Sequence, residues 1–513
     1  MTLFALTFFG LACALVCRLL PAGYRWVFLL AVSLIYYAKS SLFGLPVFLC
    51  AALVTWGSAL RMSRIAEETK AAIRAGADKK AAKAESKKRR RAWLFLALAV
   101  DFGLLIVFKY TGQVMTLFGA GNPGIVLPLG ISFYTFMSVA YLMDVYNGKS
   151  TAEKSPLRFT GFLSFYPHLL QGPISRYDDL APQLREPQTI DMAGLDSGFL
   201  LILWGLFKKM VVADRAAGAV SAVFDAAVPF GGAVNVTGVL LYSLQQYCDF
   251  SGGIDLIMGI ALLCGIRLAP NFKRPYFAVN LGDFWRRWHI TLGSFMRDYV
   301  FYPFALTKPM SSLSKAVKAK LGPEAARALP AALGNLVVFF LVGLWHGATG
   351  SYIAWGLYNG IILAIAALLE HRFKLWNQNH EKLSRSAGWH VFRVLRTFVI
   401  VNIGWFFDRC ATAGGALRMI GGLFTDFRGG ELTMECLANL GLSSSDLIIL
   451  LLSTALIFVV SLISERGTDV RGSLVRLPLP LRWALMLAAV VVIVLMGEWG
   501  SGYSASAFIY NMF

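Results

Sequence analysis

Two histidines lie in strongly apolar or aromatic sequence and are the first candidates for chemistry. His346 follows the apolar run 336–344, and His289 ends the aromatic and basic segment 283–289. An ionisable side chain at membrane depth is costly unless it faces a protein interior or a cavity, so it marks a functional candidate by default. A neutral imidazole can accept a hydroxyl proton, and burial favours the neutral form. His346 is the stronger candidate, although a structural histidine at a helix end would have the same local sequence.

The residues before His289 combine aromatic rings with cations. We predict one helix over residues 284–302 with Asp283 as its N-cap. Its apolar face would carry Phe284, Trp288, Leu292, Phe295 and Tyr299. Two interpretations remain open. The helix could be an in-plane membrane anchor, or it could be a cavity wall whose Trp285, Arg286 and Arg287 contact a phosphate or carboxylate of a substrate.

Three more residues are candidates for substrate contacts: Trp345 beside His346, Asp249 at the end of an apolar segment, and Gln171 in a segment broken by Pro and Gly. Asp249 could orient a histidine or a hydroxyl, but a capping or turn role fits it equally well. The two histidines are too far apart in sequence for a metal-ligand motif, and no HxxxH pattern accompanies them. We therefore expect no metal site.

The composition predicts an all-α, polytopic membrane protein. Hydrophobic residues make up 57% of the 513 residues and charged residues only 15%, whereas soluble domains carry about 25% charged residues. The apolar segments predict roughly eleven to thirteen membrane-spanning helices. The net charge of +19 is concentrated between apolar segments, which is typical of membrane topology signals, so we expect no nucleic-acid partner.

The pattern along the chain predicts one membrane domain over residues 1–513. The Lys- and Arg-rich residues 61–91 are expected to form a cytoplasmic loop that also meets anionic lipids, and its alanine-rich parts could be helical. Residues 156–184 have the composition of a re-entrant or interfacial segment. Residues 415–445 are expected to be a Gly-rich linker, and residues 498–513 an aromatic tail at the membrane interface.

Several motifs, in this order, resemble the membrane-bound O-acyltransferase family, and most closely its bacterial alginate O-acetyltransferase branch. They lie within the core 127–360, and the segments around His289 and His346 are the most specific. The motifs are 127–134, 165–167 with 171–174, 247–252, 271–272 with 275–276, 284–289 and 344–347. The segment after 250–252 departs from the family pattern Tyr-Ser-Asp, since Gly253-Ile254-Asp255 keeps the aspartate and loses the tyrosine.

The resemblance implies a funnel of tilted helices in a bacterial inner membrane, with His346 at the deep centre of a cavity and His289 nearer its cytoplasmic side. It implies a cytosolic thioester donor, acetyl-CoA, with no bound cofactor. The acyl group would pass to an extracytoplasmic SGNH-type acetyltransferase or to a glycan. Whether His346 acts as general base or carries the acyl group stays open. So do the acceptor polymer and the acyl group.

Two other functions remain as alternatives. The D-alanyl transferases of cell-wall polymers form the nearest sister branch, and they would use the same cavity for a different acyl group. A transporter of a small anion or glycan precursor would also have broken helices and intramembrane polar residues. Clustering of both histidines with the arginines of residues 284–289, without two symmetric halves, would favour acyl transfer.

The charge pattern also predicts topology. An excess of Lys and Arg retains a loop in the cytoplasm, so residues 61–91 should be cytoplasmic and the N-terminus outside. The variant Ala77→Cys should resist an impermeant thiol reagent in intact cells and react after permeabilisation. The unchanged chain, which has seven cysteines of its own, gives the background labelling. Labelling of Ala77→Cys above that background in intact cells would contradict the orientation.

Overall fold

The computed structural model describes residues 3–121, 123–186 and 191–499, which are almost entirely helical. Within these ranges the chain forms no β-strand, and one isolated antiparallel bridge joins Phe272 and Trp288. The predicted all-α class is confirmed.

The chain divides into two compact units. Unit 1 comprises Met1–Phe199 and Ile257–Ala269, and unit 2 comprises Leu200–Leu256 and Pro270–Phe513. The helices of the first part of the chain are α1 (Leu3–Leu19), α2 (Ala22–Ser40), α3 (Gly44–Arg74), α4 (Lys79–Leu117), α5 (Ile131–Asn147), α6 (Pro156–Ser164), α7 (Tyr166–Gln171), α8 (Tyr177–Arg185) and α9 (Met192–Leu206).

The remaining helices lie in unit 2, apart from the end of α11, which belongs to unit 1. They are α10 (Asp214–Phe224), α11 (Gly232–Leu263), α12 (Leu281–Arg287), α13 (Ile290–Met296), α14 (Tyr302–Ala305), α15 (Lys308–His346), α16 (Gly350–Leu368), α17 (Glu370–Asn379), α18 (Glu381–Ser384), α19 (Ala387–Arg409), α20 (Ala413–Thr425), α21 (Met434–Asn439), α22 (Ser444–Glu465), α23 (Val470–Val475) and α24 (Leu479–Met496). Short π-helical turns occupy Phe207–Ala213 and Arg297–Phe301, and 3₁₀ turns occupy Pro275–Phe277 and Gly429–Glu431.

Seven helices of the described residues are long and apolar enough to cross a membrane. They are α3, α4, α15, α16, α19, α22 and α24. This confirms a polytopic membrane protein. The larger number of roughly eleven to thirteen spans stays a prediction, and so does the funnel shape.

The basic residues 61–91 are almost entirely helical, as their alanine content allows, and their cytoplasmic position stays a prediction. Helix α3 runs to Arg74, and α4 starts at Lys79 after Asp78, whose side chain accepts the Ala81 backbone N–H at 2.7 Å. Alanine, lysine, arginine and glutamate dominate this stretch, and all four are strong helix formers. The charge is therefore carried by the ends of two long helices joined by a short turn.

Residues 156–184 form the three short helices α6, α7 and α8, which confirms the predicted interruption of this segment. Ser155 caps α6 by accepting the Arg158 backbone N–H at 3.4 Å, and Pro156 takes the first helical position. Proline is favoured there because its missing N–H would have no partner in the helix. The position of the segment relative to a membrane stays a prediction.

Residues 415–445 are not the expected linker, because α20 and α21 occupy much of this range. The connection after α20 packs against the start of α11 through backbone hydrogen bonds. The N–H groups of Gly232 and Ala233 donate to the carbonyls of Asp426 and Phe427, both at 2.8 Å. A glycine-rich helix is stable here because these tertiary contacts offset its low helix propensity. The predicted aromatic tail falls mostly on residues 500–513, which lie outside the described residues.

Helices α15 and α16 pack closely because glycines face each other at their crossing. A Cβ added to Gly343 would lie 3.1 Å from the Gly356 Cα and would also strike the Tyr352 carbonyl oxygen. Small residues let membrane helices approach closely enough for extensive packing. This crossing sets the position of His346, the last residue of α15, against the first turns of α16.

We predict that Gly343→Val weakens the α15–α16 crossing, since the added side chain meets backbone that cannot move aside. The expected cost is about 1–3 kcal/mol, as for other overpacked interiors, and is measured as a lower Tm of the purified protein in detergent. The matched control is Gly350→Ala, because no atom lies within 4 Å of a Cβ added to Gly350. Equal melting temperatures for the two variants would show that the crossing has room for a side chain.

Candidate active site

Both predicted histidines line one cavity of about 500 Å³ in unit 2. Its wall is mostly aromatic and aliphatic, with a few polar side chains among them. The polar and charged lining residues include Gln246, Arg286, Ser294, Arg297, Asn335 and Asp408. A largely apolar cavity with few convergent polar groups is the usual form of a small-molecule site.

His346 reaches the cavity from the C-terminal end of α15. Its ring centroid lies 4.9 Å from that of Trp345, 5.7 Å from that of Tyr352 and 5.1 Å from that of Trp355. These rings hold the imidazole in a half-buried position by packing. The C-terminal end of a helix carries partial negative charge, which favours the cation formed when the ring accepts a proton.

His289 lies at a break between α12 and α13, so the predicted single helix over residues 284–302 is wrong. Its backbone has φ 47°, in the left-handed region, and α12 ends just before it. The neighbouring segment imposes the break, because the Lys273 N–H donates to the Arg287 carbonyl at 2.9 Å and the Ile290 N–H donates to the Asn271 carbonyl at 3.0 Å.

The predicted N-cap is wrong, whereas the residues of the predicted apolar face are buried as expected. Asp283 is not the cap; α12 begins two residues earlier, and the Asn280 side chain accepts the Asp283 N–H at 2.8 Å. The side chains expected on the apolar face are nevertheless buried, with Tyr299 half-buried. The segment is therefore a packed cavity wall rather than a surface anchor.

The hydrogen bonds of Asn271 assign the tautomer of His289. The Asn271 Oδ1 accepts the backbone N–H of Thr291 at 3.0 Å, and His289 Nδ1 lies 3.2 Å from the same oxygen. Because this oxygen is an acceptor, Nδ1 carries the ring proton and Nε2 holds the lone pair. Burial lowers the pKa of the His289 imidazole to about 3, so the ring is neutral near pH 7.

The two neighbouring arginines have different environments. Arg286 lines the cavity, and its side chain is 69% exposed, with the Asp283 carboxylate 3.5 Å away. Arg287 pairs with Asp283 at 3.1 Å and with Glu465 at 2.9 Å, and the described lining of the cavity does not include it. Arg286 is therefore available to an anionic ligand, whereas Arg287 ties α12 to the end of α22.

The remaining predicted site residues lie in several places. Trp285 lines the cavity and donates from Nε1 to the Asn359 Oδ1 at 3.2 Å. Trp345 is buried, packs against the His346 ring and is not among the residues that line the cavity. Asp249 is buried within α11 and forms an ion pair with Lys209. Gln171 is buried on α7 in unit 1, whereas the cavity is lined by residues of unit 2.

The polar residues at the site that were not predicted include Asp408, Gln246, Asn335 and Asn271. Asp408 is 5% exposed and lines the cavity from the end of α19. The sequence contains a signal for Asp408, because a carboxylate directly after an apolar segment is costly at membrane depth and is a functional candidate for the same reason as His346. Asn271 has no comparable signal, since its role depends on a contact with residues some twenty positions later.

Comparison with known proteins matches this chain to acyltransferases. A family model described as MBOAT, membrane-bound O-acyltransferase family, matches residues 150–318. A probable alginate O-acetylase of Pseudomonas putida is 31% identical over 444 residues, 84% of this chain and 81% of the relative. A peptidoglycan O-acetyltransferase of Helicobacter pylori is 32% identical over 366 residues, 65% of each chain.

A teichoic acid D-alanyltransferase of Bacillus subtilis is 29% identical over 287 residues, 54% of this chain and 67% of the relative. The match to the alginate O-acetylase covers more of both proteins. The chain therefore belongs to the membrane-bound O-acyltransferase family, in the branch that resembles alginate O-acetylases, and it is an O-acyltransferase.

Proposed function

We propose that the protein transfers an acetyl group from a cytosolic thioester, acetyl-CoA, for O-acetylation of a polysaccharide outside the bacterial inner membrane. One observation carries this proposal: the cavity places both histidines in one space with the exposed Arg286 and Arg297. That set provides a proton acceptor and a binding surface for an anionic donor.

The chemistry needs one proton acceptor and one leaving thiol. His346 takes the proton of the acceptor hydroxyl while the hydroxyl oxygen forms a bond to the acyl carbon. The carbon–sulfur bond then breaks, and the imidazolium returns the proton to the departing thiolate. The products are an O-acyl ester and free thiol. Transfer through an acyl-histidine would have the same net balance in two steps.

The neutral His289 acts beside this step as a second proton-handling group. Its Nδ1 is held by Asn271, so Nε2 is the nitrogen that can accept a hydrogen bond from a substrate or from water. A residue whose orientation is fixed by a partner loses little entropy when it binds substrate, which favours a role in positioning.

The exposed arginines define the donor side. The side chains of Arg286 and Arg297 are 69% and 58% exposed, and guanidinium groups bind phosphate through paired hydrogen bonds. We place this opening at the cytoplasm, with the basic ends of α3 and α4, and the N-terminus outside. The acceptor side would then meet a glycan or an SGNH-type acetyltransferase outside the membrane.

D-alanyl transfer is the second candidate, and one finding favours it: the similarity to a teichoic acid D-alanyltransferase. Acetyl transfer is the better supported of the two, because this chain matches 80% and 81% of the length of two alginate O-acetylase relatives and 67% of the teichoic acid relative.

We predict that His346→Ala abolishes O-acetylation while the protein still reaches the membrane at normal levels. A positioned general base contributes at least about a hundredfold to rate, and its removal should cost that much. The measurement is acetyl ester content of the surface polysaccharide, with His390→Ala as control because that exposed histidine is outside the cavity lining. More than a tenth of the activity in His346→Ala would assign the proton transfer to another group.

We predict that Arg286→Lys raises the apparent KM for acetyl-CoA without changing Tm. Lysine keeps the charge but loses the paired geometry that a phosphate-binding arginine uses. Thioester consumption by purified protein in liposomes, with acceptor supplied, measures the effect. The matched control is Arg372→Lys, an exposed arginine on α17 outside the cavity lining. If both variants match the unchanged protein at every donor concentration, Arg286 does not bind the donor.

A further inference from the structure

A second cavity, of about 620 Å³, lies in unit 2 between α11, α19 and α22. We call it the groove, and none of its described lining residues also lines the cavity that contains the two histidines. Its wall is mostly aliphatic and aromatic, and α22 contributes side chains from Leu447 to Ser461. The groove therefore follows α22 for about 21 Å, because an α-helix rises about 1.5 Å per residue.

One side of the groove is open. Leu395 on α19 and both Leu451 and Phe458 on α22 line it, and they are 59%, 71% and 55% exposed. Both helices are long and apolar enough to cross a membrane, so the open side meets hydrocarbon rather than water. An occupant that enters from this side is itself apolar over most of its length.

The dimensions of the groove favour an extended chain over a helix. Its volume divided by its length gives a mean cross-section of roughly 30 Å². An α-helix with side chains is about 10 Å wide and needs more than twice that area. A single acyl chain is thinner, and each of its buried methylene groups contributes about 0.8 kcal/mol.

One end of the groove is charged. Arg274 lines the groove and donates from Nε to the carboxylate of Glu465 at 2.5 Å. Glu465 follows Ser461, the last lining residue of α22, by one helical turn, which places this ion pair at the end of the groove. Lys273 and Arg466, which are next to the pair in the chain, are exposed. Cations therefore outnumber the carboxylate at this end.

Arg274 has donors left for a ligand. Its side chain is 23% exposed, and its two Nη groups donate to no acceptor among the described residues. Its backbone has φ 48°, in the left-handed region, a conformation that costs free energy and that clusters at ligand-binding positions. A guanidinium group with two free N–H edges matches the paired oxygens of a phosphate.

The charged end is joined to the helix that carries Arg286. Glu465 accepts hydrogen bonds from Arg287 of α12 at 2.9 Å as well as from Arg274. Since the proposed orientation places the opening at Arg286 in the cytoplasm, the charged end of the groove lies on the same side. The cytoplasmic leaflet holds anionic lipids, and basic sites between membrane helices bind their headgroups.

We propose that the groove binds one anionic phospholipid of the cytoplasmic leaflet, with an acyl chain along α22 and the phosphate on Arg274. The apolar length selects a lipid over a soluble anion, and the free guanidinium donors select a phosphate over an uncharged lipid. Such a lipid differs from those that merely surround the protein, because its binding depends on one cation and on the space beside α22. The site is separate from the chemistry of acyl transfer and goes beyond the proposed function.

The test is native mass spectrometry of the purified, delipidated protein in detergent, titrated with palmitoyl-oleoyl phosphatidylglycerol. We expect one lipid to bind at least about tenfold more tightly than further copies and than diacylglycerol with the same chains, because charge-assisted hydrogen bonds to the phosphate are lost in the diacylglycerol. Glycerophosphoglycerol, which has the headgroup without the chains, should not displace the lipid.

Two variants locate the lipid. Arg274→Gln removes the cation and Thr454→Trp fills the groove from α22, and each should weaken phosphatidylglycerol binding about tenfold or more. The matched controls are Arg471→Gln and Leu456→Trp, which change exposed residues outside the lining and should keep the full affinity. If Arg274→Gln fails to fold because its ion pair with Glu465 is lost, Thr454→Trp decides the question.

Several outcomes would overturn the proposal. Equal affinities for phosphatidylglycerol and diacylglycerol would show that the phosphate is not recognised. Full affinity in Thr454→Trp, or equal weakening in Leu456→Trp, would leave surrounding lipid only. A dimer in detergent that Thr454→Trp dissociates would assign the groove to a second copy of the chain. Because the readout is lipid binding, each of these failures leaves the proposed acyl transfer standing.

Discussion

The rest of the site depends on the hydrogen bonds that the amide oxygen of Asn271 accepts. It accepts hydrogen bonds from the backbone N–H and the hydroxyl of Thr291, both at 3.0 Å, and from the His289 ring at 3.2 Å. A non-glycine residue in the left-handed region costs on the order of 1–3 kcal/mol. These contacts, together with the Ile290–Asn271 backbone hydrogen bond, hold His289 there. The resulting break lets the short helices on both sides of His289 contribute side chains to one cavity.

The aromatic lining keeps the His289 imidazole neutral, because burial lowers its pKa. The Phe250 ring lies 4.9 Å from the His289 ring in an edge-on arrangement, and Trp288 packs 5.4 Å from Trp405. Such rings exclude water and lower the local dielectric constant, which penalises the charged imidazole. A general base benefits from these apolar surroundings, because its imidazole stays neutral in the empty cavity and is ready to accept a proton when substrate binds.

The sequence indicated the site wherever a polar or ionisable residue lies in apolar surroundings, because burying such a residue costs free energy. His346 and His289 are such residues, and both line the cavity together with Arg286, which the aromatic and basic pattern around His289 indicated. The helix break at His289 could not be read from periodicity, because the apolar spacing of the segment fits a continuous helix. Pairing with residues 271–273 overrides that local preference. In the basic residues 61–91 the charge indicates a connection between spans, while the alanines favour helix, and the structure shows that the helices α3 and α4 extend through most of this stretch.

Two buried carboxylates, Asp249 and Asp408, show what the sequence alone does not distinguish. Asp249 and Asp408 both occur next to apolar segments, and cost alone marks both as functional. The structure pairs Asp249 with the ammonium group of Lys209, which also contacts Asp214 at 2.8 Å, in a network of buried charges beside a π-helical turn. A buried charge that meets an opposite charge is compensated within the protein. Asp408 meets two neutral groups instead, the Tyr242 hydroxyl and the Gln246 side chain. The structure therefore separates a carboxylate that an ammonium group compensates from one that only neutral groups hold at the cavity wall.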